Sequence, residues 1–323
     1  MVESNAYLIV GSAGQDGILT EKILKTKGLP YLQLTKQGLS QGKKLILEYS
    51  EITPNSLSKE LRKRSVDRIF FFAAHSRSSE ESKRIEPIIE KNEHKRVEDL
   101  LSTILHSFEV QEKKASLFYA SSMLIFSPDF VGTINEQTNP SPSSYYGEHK
   151  LKCAQLIENR NLDQKLCNAS VGIFFNHESC YRQDTYFSAK IIKQALQKKF
   201  GKTLDNGPLE VLQTSRDFGY APQYMDLAFQ LLSNSKVGNF IFCTGTSIST
   251  VDFIKIVCAK LHVESRDLFR ILTINEELES SHRFRGDNSK LCNTTGVDKS
   301  QILSGQTLIE KLIRDWQNKY DAE

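Results

Sequence analysis

Residues 6–17 read Ala6-Tyr7-Leu8-Ile9-Val10-Gly11-Ser12-Ala13-Gly14-Gln15-Asp16-Gly17. The opening run, Ala6–Val10, is continuously apolar, which suits a strand buried on both faces. Glycines follow at G-x-x-G-x-x-G spacing, and residues 16–27 then read as a helix. A glycine turn between strand and helix lets backbone N–H groups close on a pyrophosphate, whose charge the helix N-terminus favours. Such a turn is common wherever φ must be positive. Its placement between the first strand and the first helix makes it read as a dinucleotide loop.

Working outward, further strands are expected at residues 31–35, 45–47, 69–74, 116–121 and 168–174, with helices at 80–110 and 145–160. Strands alternating with helices imply parallel β-α-β crossovers, hence a Rossmann-type α/β fold with a doubly wound parallel sheet. Beyond residue 176 the rhythm loosens. Residues 184–199 look helical, 201–211 hold turns and a short strand, and 224–232 look helical again. A strand at 240–243 and helices at 250–261 and 307–320 complete the chain. The expected division is an NAD(P)-binding domain over 1–175 and a smaller C-terminal α/β substrate lobe over 176–323, interleaved through about 206–245. Open α/β sheets take ligands outside the carboxyl ends of their strands, so a shared cleft is expected there.

Composition narrows the classes. The chain has 323 residues, 42 basic against 39 acidic, a net charge of +3 and 39% hydrophobic residues. Nothing in this balance calls for nucleic acid or a membrane surface, and lysine-rich stretches such as Lys198-Lys199 read as solvated helix faces. No apolar run approaches the roughly 20 residues of a membrane span. The N-terminal stretch lacks a basic n-region, so a cytoplasmic protein without a signal peptide is expected. Six cysteines lie far apart and seven histidines show no H-x-x-x-H pattern, which predicts reduced thiols and no metal site.

The chemistry concentrates in Tyr146-Gly147-Glu148-His149-Lys150, at the start of a predicted helix. Residues four apart share a helix face, so the Lys150 ammonium can lower the pKa of the Tyr146 hydroxyl toward working pH. A tyrosine so tuned exchanges a proton with a substrate hydroxyl while hydride moves to or from a nicotinamide. Upstream, the strand at 116–121 runs into Ser121-Ser122, and a serine there would orient the same hydroxyl. Tyr145 is the competing tyrosine, but its spacing to Lys150 turns it elsewhere. After the second strand, where NAD sites commonly carry a carboxylate, the chain reads Leu34-Thr35-Lys36-Gln37. Lys36 there favours the 2′-phosphate of NADP, with NAD as the alternative; the other reading is an exposed lysine at a strand end.

Glycine loop, serine-ended strand and Tyr/Lys helix, in this order, resemble the extended short-chain dehydrogenases. One group is more similar, the GDP-mannose 4,6-dehydratases. The Gln15-Asp16-Gly17 loop ending, Phe175-Asn176-His177-Glu178-Ser179, Arg216-Asp217-Phe218-Gly219-Tyr220-Ala221, Phe242-Cys243-Thr244-Gly245 and Gly286-Asp287 all resemble that family's landmarks. The likeness is patchy but runs over residues 6–318. The residues and this likeness together give Gly11, Gly14, Gln15, Asp16, Gly17, Lys36, Ala73, Ala74, Tyr146 and Lys150 as the expected cofactor lining, although the residue after the second strand differs from the family's. It implies too that Asn176 and Arg216 face the diphosphate of a nucleotide sugar, a GDP-sugar by resemblance. Ala74-His75-Ser76-Arg77 resembles the family's A-Q-S-H, and Arg182 falls where the family has a basic loop resembling a subunit and cofactor contact. Extended members pair through two helices, here 80–110 and 145–160, so a homodimer or homotetramer is implied.

The departure lies after the serine-ended strand. The family's S-T-S-E aligns with Ser121-Ser122-Met123-Leu124, so leucine stands where a glutamate removes the C5 proton of the 4-keto sugar. A missing general base costs on the order of 100- to 10,000-fold in rate. His177, Glu178, Glu136 and Asp129 are ionisable, but nothing in the sequence places any of them at C5. The readings left open are a dehydratase with a displaced base, a nucleotide-sugar 4-reductase or 4-epimerase, a catalytically degenerate binding subunit, and a dehydrogenase of non-nucleotide substrates.

Overall fold

The computed structural model describes residues 6–75, 86–110, 114–162, 167–202, 207–272 and 285–322. The chain divides into two units. One holds residues 1–126, 139–173 and 225–240; the other holds 127–138, 174–224 and 241–323.

The first unit is built on an eight-stranded sheet. Its strands are β1 (Ala6–Val10), β2 (Tyr31–Thr35), β3 (Gly38–Gln41), β4 (Lys44–Glu48), β5 (Val66–Phe71), β6 (Ala115–Ser122), β7 (Cys167–Phe174) and β8 (Gly238–Phe242), in the order β8-β7-β6-β5-β1-β2-β3-β4. β1 runs parallel to β2 and β5, with Leu8 beside Leu32 and Ile69, and β5 runs parallel to β6. All of β1 is buried, as a central strand covered on both faces must be. Phe70, Phe71, Phe118 and Tyr119 fill the adjoining core.

One expectation changes here. Residues 45–47 do form a strand, but β4 is no member of a parallel crossover. β2, β3 and β4 are an antiparallel meander at the sheet edge. The link between β2 and β3 is only Lys36-Gln37, far too short for the dozen or more residues a parallel crossover needs. Gly38 accepts this tight turn with φ +137°, and a β-carbon there would lie 2.0 Å from the Leu47 carbonyl oxygen.

The helices follow as α1 (Gln15–Thr26), α2 (Pro54–Lys63), α3 (Pro87–Glu109) and α4 (Tyr145–Leu162). α2 is absent from the sequence-based reading. It is capped by Thr53, whose Oγ1 accepts the Ser56 N–H at 3.2 Å, and it buries Leu57 and Leu61. α3 buries His94, Val97, Leu101, Ile104, Leu105 and Phe108, a stripe at helical spacing. The opening of the expected 80–110 helix, and Ser76-Arg77, lie outside the described residues.

The second unit gathers around α5 (Phe187–Lys199), α7 (Thr250–Leu261) and α9 (Gly305–Ala322), with α8 (Ser289–Thr295) before α9 in the chain; α6 (Ala221–Ser233) follows α5 in the chain but lies mostly in the first unit. Ile191, Ile192, Leu196, Phe253, Val257, Leu312, Ile313 and Trp316 form its core. Short strand pairs complete it: Asn176–Glu178 lies parallel to Phe218–Tyr220, and Ser215–Arg216 antiparallel to Ile248–Ser249. No helix among the described residues is long and apolar enough to cross a membrane.

Candidate active site

The glycine loop joins β1 to α1. Gly11 has φ +86°, and a β-carbon there would lie 2.7 Å from the Ala73 nitrogen; at Gly17 it would lie 2.5 Å from the Gly11 oxygen. The loop is therefore folded tightly on itself and against the end of β5, which brings Ala73 beside it. Gly14 is the N-cap of α1 and has no side chain to satisfy the first amides, which leaves them for an anion. A dinucleotide pyrophosphate fits such a cradle. Gln15 is buried and donates through Nε2 to Asp16 Oδ1 at 3.3 Å. Lys36 is exposed in the β2–β3 turn, two residues after Leu34, whose carbonyl accepts the Gly11 N–H at 2.9 Å. It thus stands at the carboxyl end of the strand next to the loop. Ala74 follows Ala73 in the segment after β5.

Tyr146 and Lys150 open α4. Lys150 is 2% exposed and donates from Nζ to the Ala120 carbonyl at 2.7 Å, which ties α4 to the carboxyl end of β6. Its ammonium lies 5.6 Å from the Tyr146 ring centre and 5.1 Å from that of Tyr119. Burial pulls the lysine down to about 8; the opposing influences are Cys153 and the Asp16 carboxylate. Tyr146 itself is half-buried, whereas Tyr145 is exposed and has Lys91 over its ring. Ser122 ends β6 and its Oγ accepts the Leu124 N–H at 3.2 Å, which leaves the hydroxyl proton to donate. Its neighbour Ser121 is buried with an unpartnered Oγ. Close backing fixes the first turn of α4 against this segment, since a β-carbon at Gly147 would lie 2.2 Å from the Leu124 oxygen. Leu124 itself is 44% exposed, an apolar, solvent-facing side chain at the position where the resemblance expects an acidic residue.

Asn176 and Arg216 both belong to the second unit. Asn176 pairs with Phe218, two residues after Arg216, so the two share one strand pair's end. Arg216 is exposed and its guanidinium stays charged at any working pH. Next to it, Asp217 is buried and accepts from Thr244 N and Oγ1 and from Gly245 N at 2.8–3.1 Å. This carboxylate, whose role the sequence alone does not show, holds the turn after β8. Burial pushes it up to about 6 against those hydrogen bonds. Arg182 stacks over the Tyr186 ring at 3.8 Å and pairs with Glu178 at 3.5 Å, so it is occupied within its own unit.

Three of the four alternative bases are also engaged, while Asp129 is exposed. Glu178 is buried and accepts from Ser188, Glu136 accepts the Ile241 N–H at 3.0 Å, and His177 Nδ1 bonds the Phe175 carbonyl at 2.9 Å. Among the described residues no group of His, Cys, Asp and Glu is arranged to hold a metal ion.

The GDP-mannose 4,6-dehydratase sdnI of Sordaria araneosa is 27% identical over 258 residues, covering 76% of this chain and 46% of that protein. The GDP-mannose 4,6 dehydratase of Drosophila melanogaster is 25% identical over 272 residues, covering 77% of this chain and 66% of that one. The chain thus spans about half to two thirds of the length of these relatives. RMD from Pseudomonas aeruginosa, solved with NADPH, superposes with a TM-score of 0.74 at 20% identity, over 97% of this chain and 99% of that one. The UDP-N-acetylglucosamine 4-epimerase of Bacillus cereus gives a TM-score of 0.73 at 19% identity, over 97% and 100%. These structural likenesses speak for the fold. The family profile of GDP-mannose 4,6 dehydratase matches residues 8–302, and the chain belongs to that family.

Proposed function

We propose that this protein is an NAD(P)-dependent enzyme of nucleotide sugars that moves hydride at C4 of the hexose and does not dehydrate it. NADP is the preferred cofactor and a GDP-sugar the substrate class. The observation that carries this reading is Leu124. The Tyr146–Lys150 pair and Ser122 needed for C4 chemistry are retained, while the neighbouring position that must take the C5 proton holds an exposed leucine. Family membership, and relatives named as GDP-mannose 4,6-dehydratases, support the substrate class.

When bound, the nicotinamide supplies or accepts the hydride. The chain's own residues do the rest. Ser122 donates a hydrogen bond to the C4 oxygen and fixes it. Tyr146 gives its phenolic proton to that oxygen during reduction, or takes it during oxidation, and Lys150 stabilises the phenolate from the same helix face. Gly11, Gly14, Gly17 and the first amides of α1 seat the pyrophosphate, and Lys36 meets a 2′-phosphate. Asn176 and Arg216 receive the substrate diphosphate, for which a guanidinium supplies paired donors.

The test is product analysis by mass spectrometry. With NADPH and a 4-keto nucleotide sugar, the expected product is heavier by two hydrogens. With NADP and GDP-mannose, no product lighter by one water forms. A dehydrated product from the wild-type chain would overturn the reading, and silence in both assays would favour a binding subunit. Leu124→Glu is expected to gain water loss, at least roughly 100-fold above the wild type.

A further inference from the structure

An ammonium carries three N–H donors, yet the buried Lys150 has one hydrogen-bond acceptor among the described residues, the Ala120 carbonyl at 2.7 Å. Two aromatic rings stand within cation–π reach of the same nitrogen. The centre of Tyr119 lies 5.1 Å from Nζ and that of Tyr146 5.6 Å. Tyr146 is the reactive group of the proposed chemistry, whereas Tyr119 has no role in it. All four residues belong to one unit of the fold.

The sheet fixes the Tyr119 ring. Tyr119 pairs with Phe71 across β5 and β6, with ring centres 5.9 Å apart and planes at 47°, and it is fully buried. Since Ala120 is the next residue, two consecutive positions of β6 supply Lys150 with an acceptor and a ring. Burial holds the Tyr119 hydroxyl well above the ordinary tyrosine range, so the ring meets the ammonium as a neutral phenol. Few ionisable groups compete with it. From α1, the Asp16 carboxylate favours the charged lysine. From α4, burial pushes the Cys153 thiol up to about 11 and His149 down to about 3, so both are uncharged in the working range. From α3, His94 lies flat on His149 with centroids 4.8 Å apart, and Glu98 is taken by Lys152 at 2.6 Å.

We propose that Tyr119 is a positioning residue for the reactive pair: its ring face holds the Lys150 ammonium against the Ala120 carbonyl and keeps the lysine charged for Tyr146. A neutral ring attracts a cation through the negative potential over its face, and the attraction is strongest where water is excluded. An aliphatic side chain at the same place would remove water from the ammonium and give nothing back. The hydroxyl of Tyr119 is not needed for this; the electron density of the ring is.

This inference rests on the reading of Tyr146 and Lys150 as the reactive pair, and its test needs no sugar substrate. The full chain is prepared with lysine 13C-labelled at Cε, and its NMR signals are followed against pH. Lys150 is the signal lost in Lys150→Met. In the wild type it should titrate at about 8, well below an ordinary lysine. Tyr119→Phe keeps the ring face and should leave that titration in place. A trifluorinated phenylalanine at position 119 keeps the shape of the ring but drains its face of electron density. It should move the Lys150 titration down by roughly one pH unit. A fluorinated variant that titrates like Tyr119→Phe overturns the proposal, as does a Tyr119→Phe protein that shifts as far as the fluorinated one. Phenolate absorbance near 295 nm, with the Tyr146→Phe spectrum subtracted, then reads the consequence in the Tyr119→Phe background. Tyr146 should ionise below the ordinary tyrosine value of about 10 there, and later in the fluorinated variant. A Tyr146 that ionises no earlier than an ordinary tyrosine, while Lys150 still responds to fluorination, sinks the reactive-pair reading instead. The two failures are therefore distinguishable.

Discussion

Lys150 carries its ammonium into the interior with a single carbonyl to receive it, and the consequences run in two directions. The folded-state pKa, lowered from 10.5 to about 8, means that below pH 8 the fold bears the full cost of the buried charge. Between about 8 and 10.5 the unfolded chain holds more of this proton than the folded one, so stability rises with pH across that window. The cost at neutral pH is on the order of 3 kcal/mol. Lys150→Met should therefore lose turnover by roughly 100-fold or more without losing stability at pH 7. In denaturant titrations of the cofactor-free protein, the stability of wild type relative to variant should climb from pH 8 to 10.5. A flat difference would mean that the lysine is not desolvated. Turnover should fall as pH rises past the lysine's titration, because the uncharged amine no longer favours the phenolate.

At the scale of elements, the loops decide what the strands and helices present. Gly17→Ala puts a methyl group 2.5 Å from the Gly11 oxygen, so the loop must open. NADP affinity, measured by fluorescence titration, is expected to fall at least roughly 10-fold, since a shift of about 1.4 kcal/mol in the cradle suffices. Gly38→Val strains a φ of +137° and meets the Leu47 carbonyl oxygen at 2.0 Å. The β2–β4 edge should then detach, lowering stability by roughly 3 kcal/mol, and amide exchange should speed up over residues 38–48 first. A variant with wild-type exchange there would show that the turn tolerates a side chain. Element-level reading from sequence succeeded where the pattern was strong. The glycine loop, β1, β2 and the helix bearing Tyr146 and Lys150 stand where their residues put them. It failed at β3 and α2 for a common reason. Gly38-Leu39-Ser40-Gln41 is four residues with one apolar side chain, and α2 shows only Leu57 and Leu61 among polar neighbours. Both are too short for periodicity to speak, though Thr53-Pro54 before Leu57 was a readable cap.

At the scale of the whole molecule, Trp316 offers the handle. It is the chain's only tryptophan and is 3% exposed in the core of the second unit, among residues of α5, α7 and α9. Native emission should be blue-shifted against the denatured chain, and Trp316→Ala should cost roughly 3–5 kcal/mol in urea unfolding. Equal emission in the two states would contradict its burial. By itself the sequence determined the α/β class, the glycine loop between β1 and α1 and the placing of Tyr146 and Lys150 on one helix. These depend on local pattern: a buried run, glycines at fixed spacing, two side chains four apart on a helix. Only the tertiary structure decided that the third and fourth strands turn back antiparallel, that Lys150 is satisfied by Ala120, that Asp217 holds the turn after β8, and that His94 lies flat on His149. Each of these joins residues remote in sequence or turns on how a backbone carbonyl is aimed. Such geometry is set by packing, and residue spacing does not encode it.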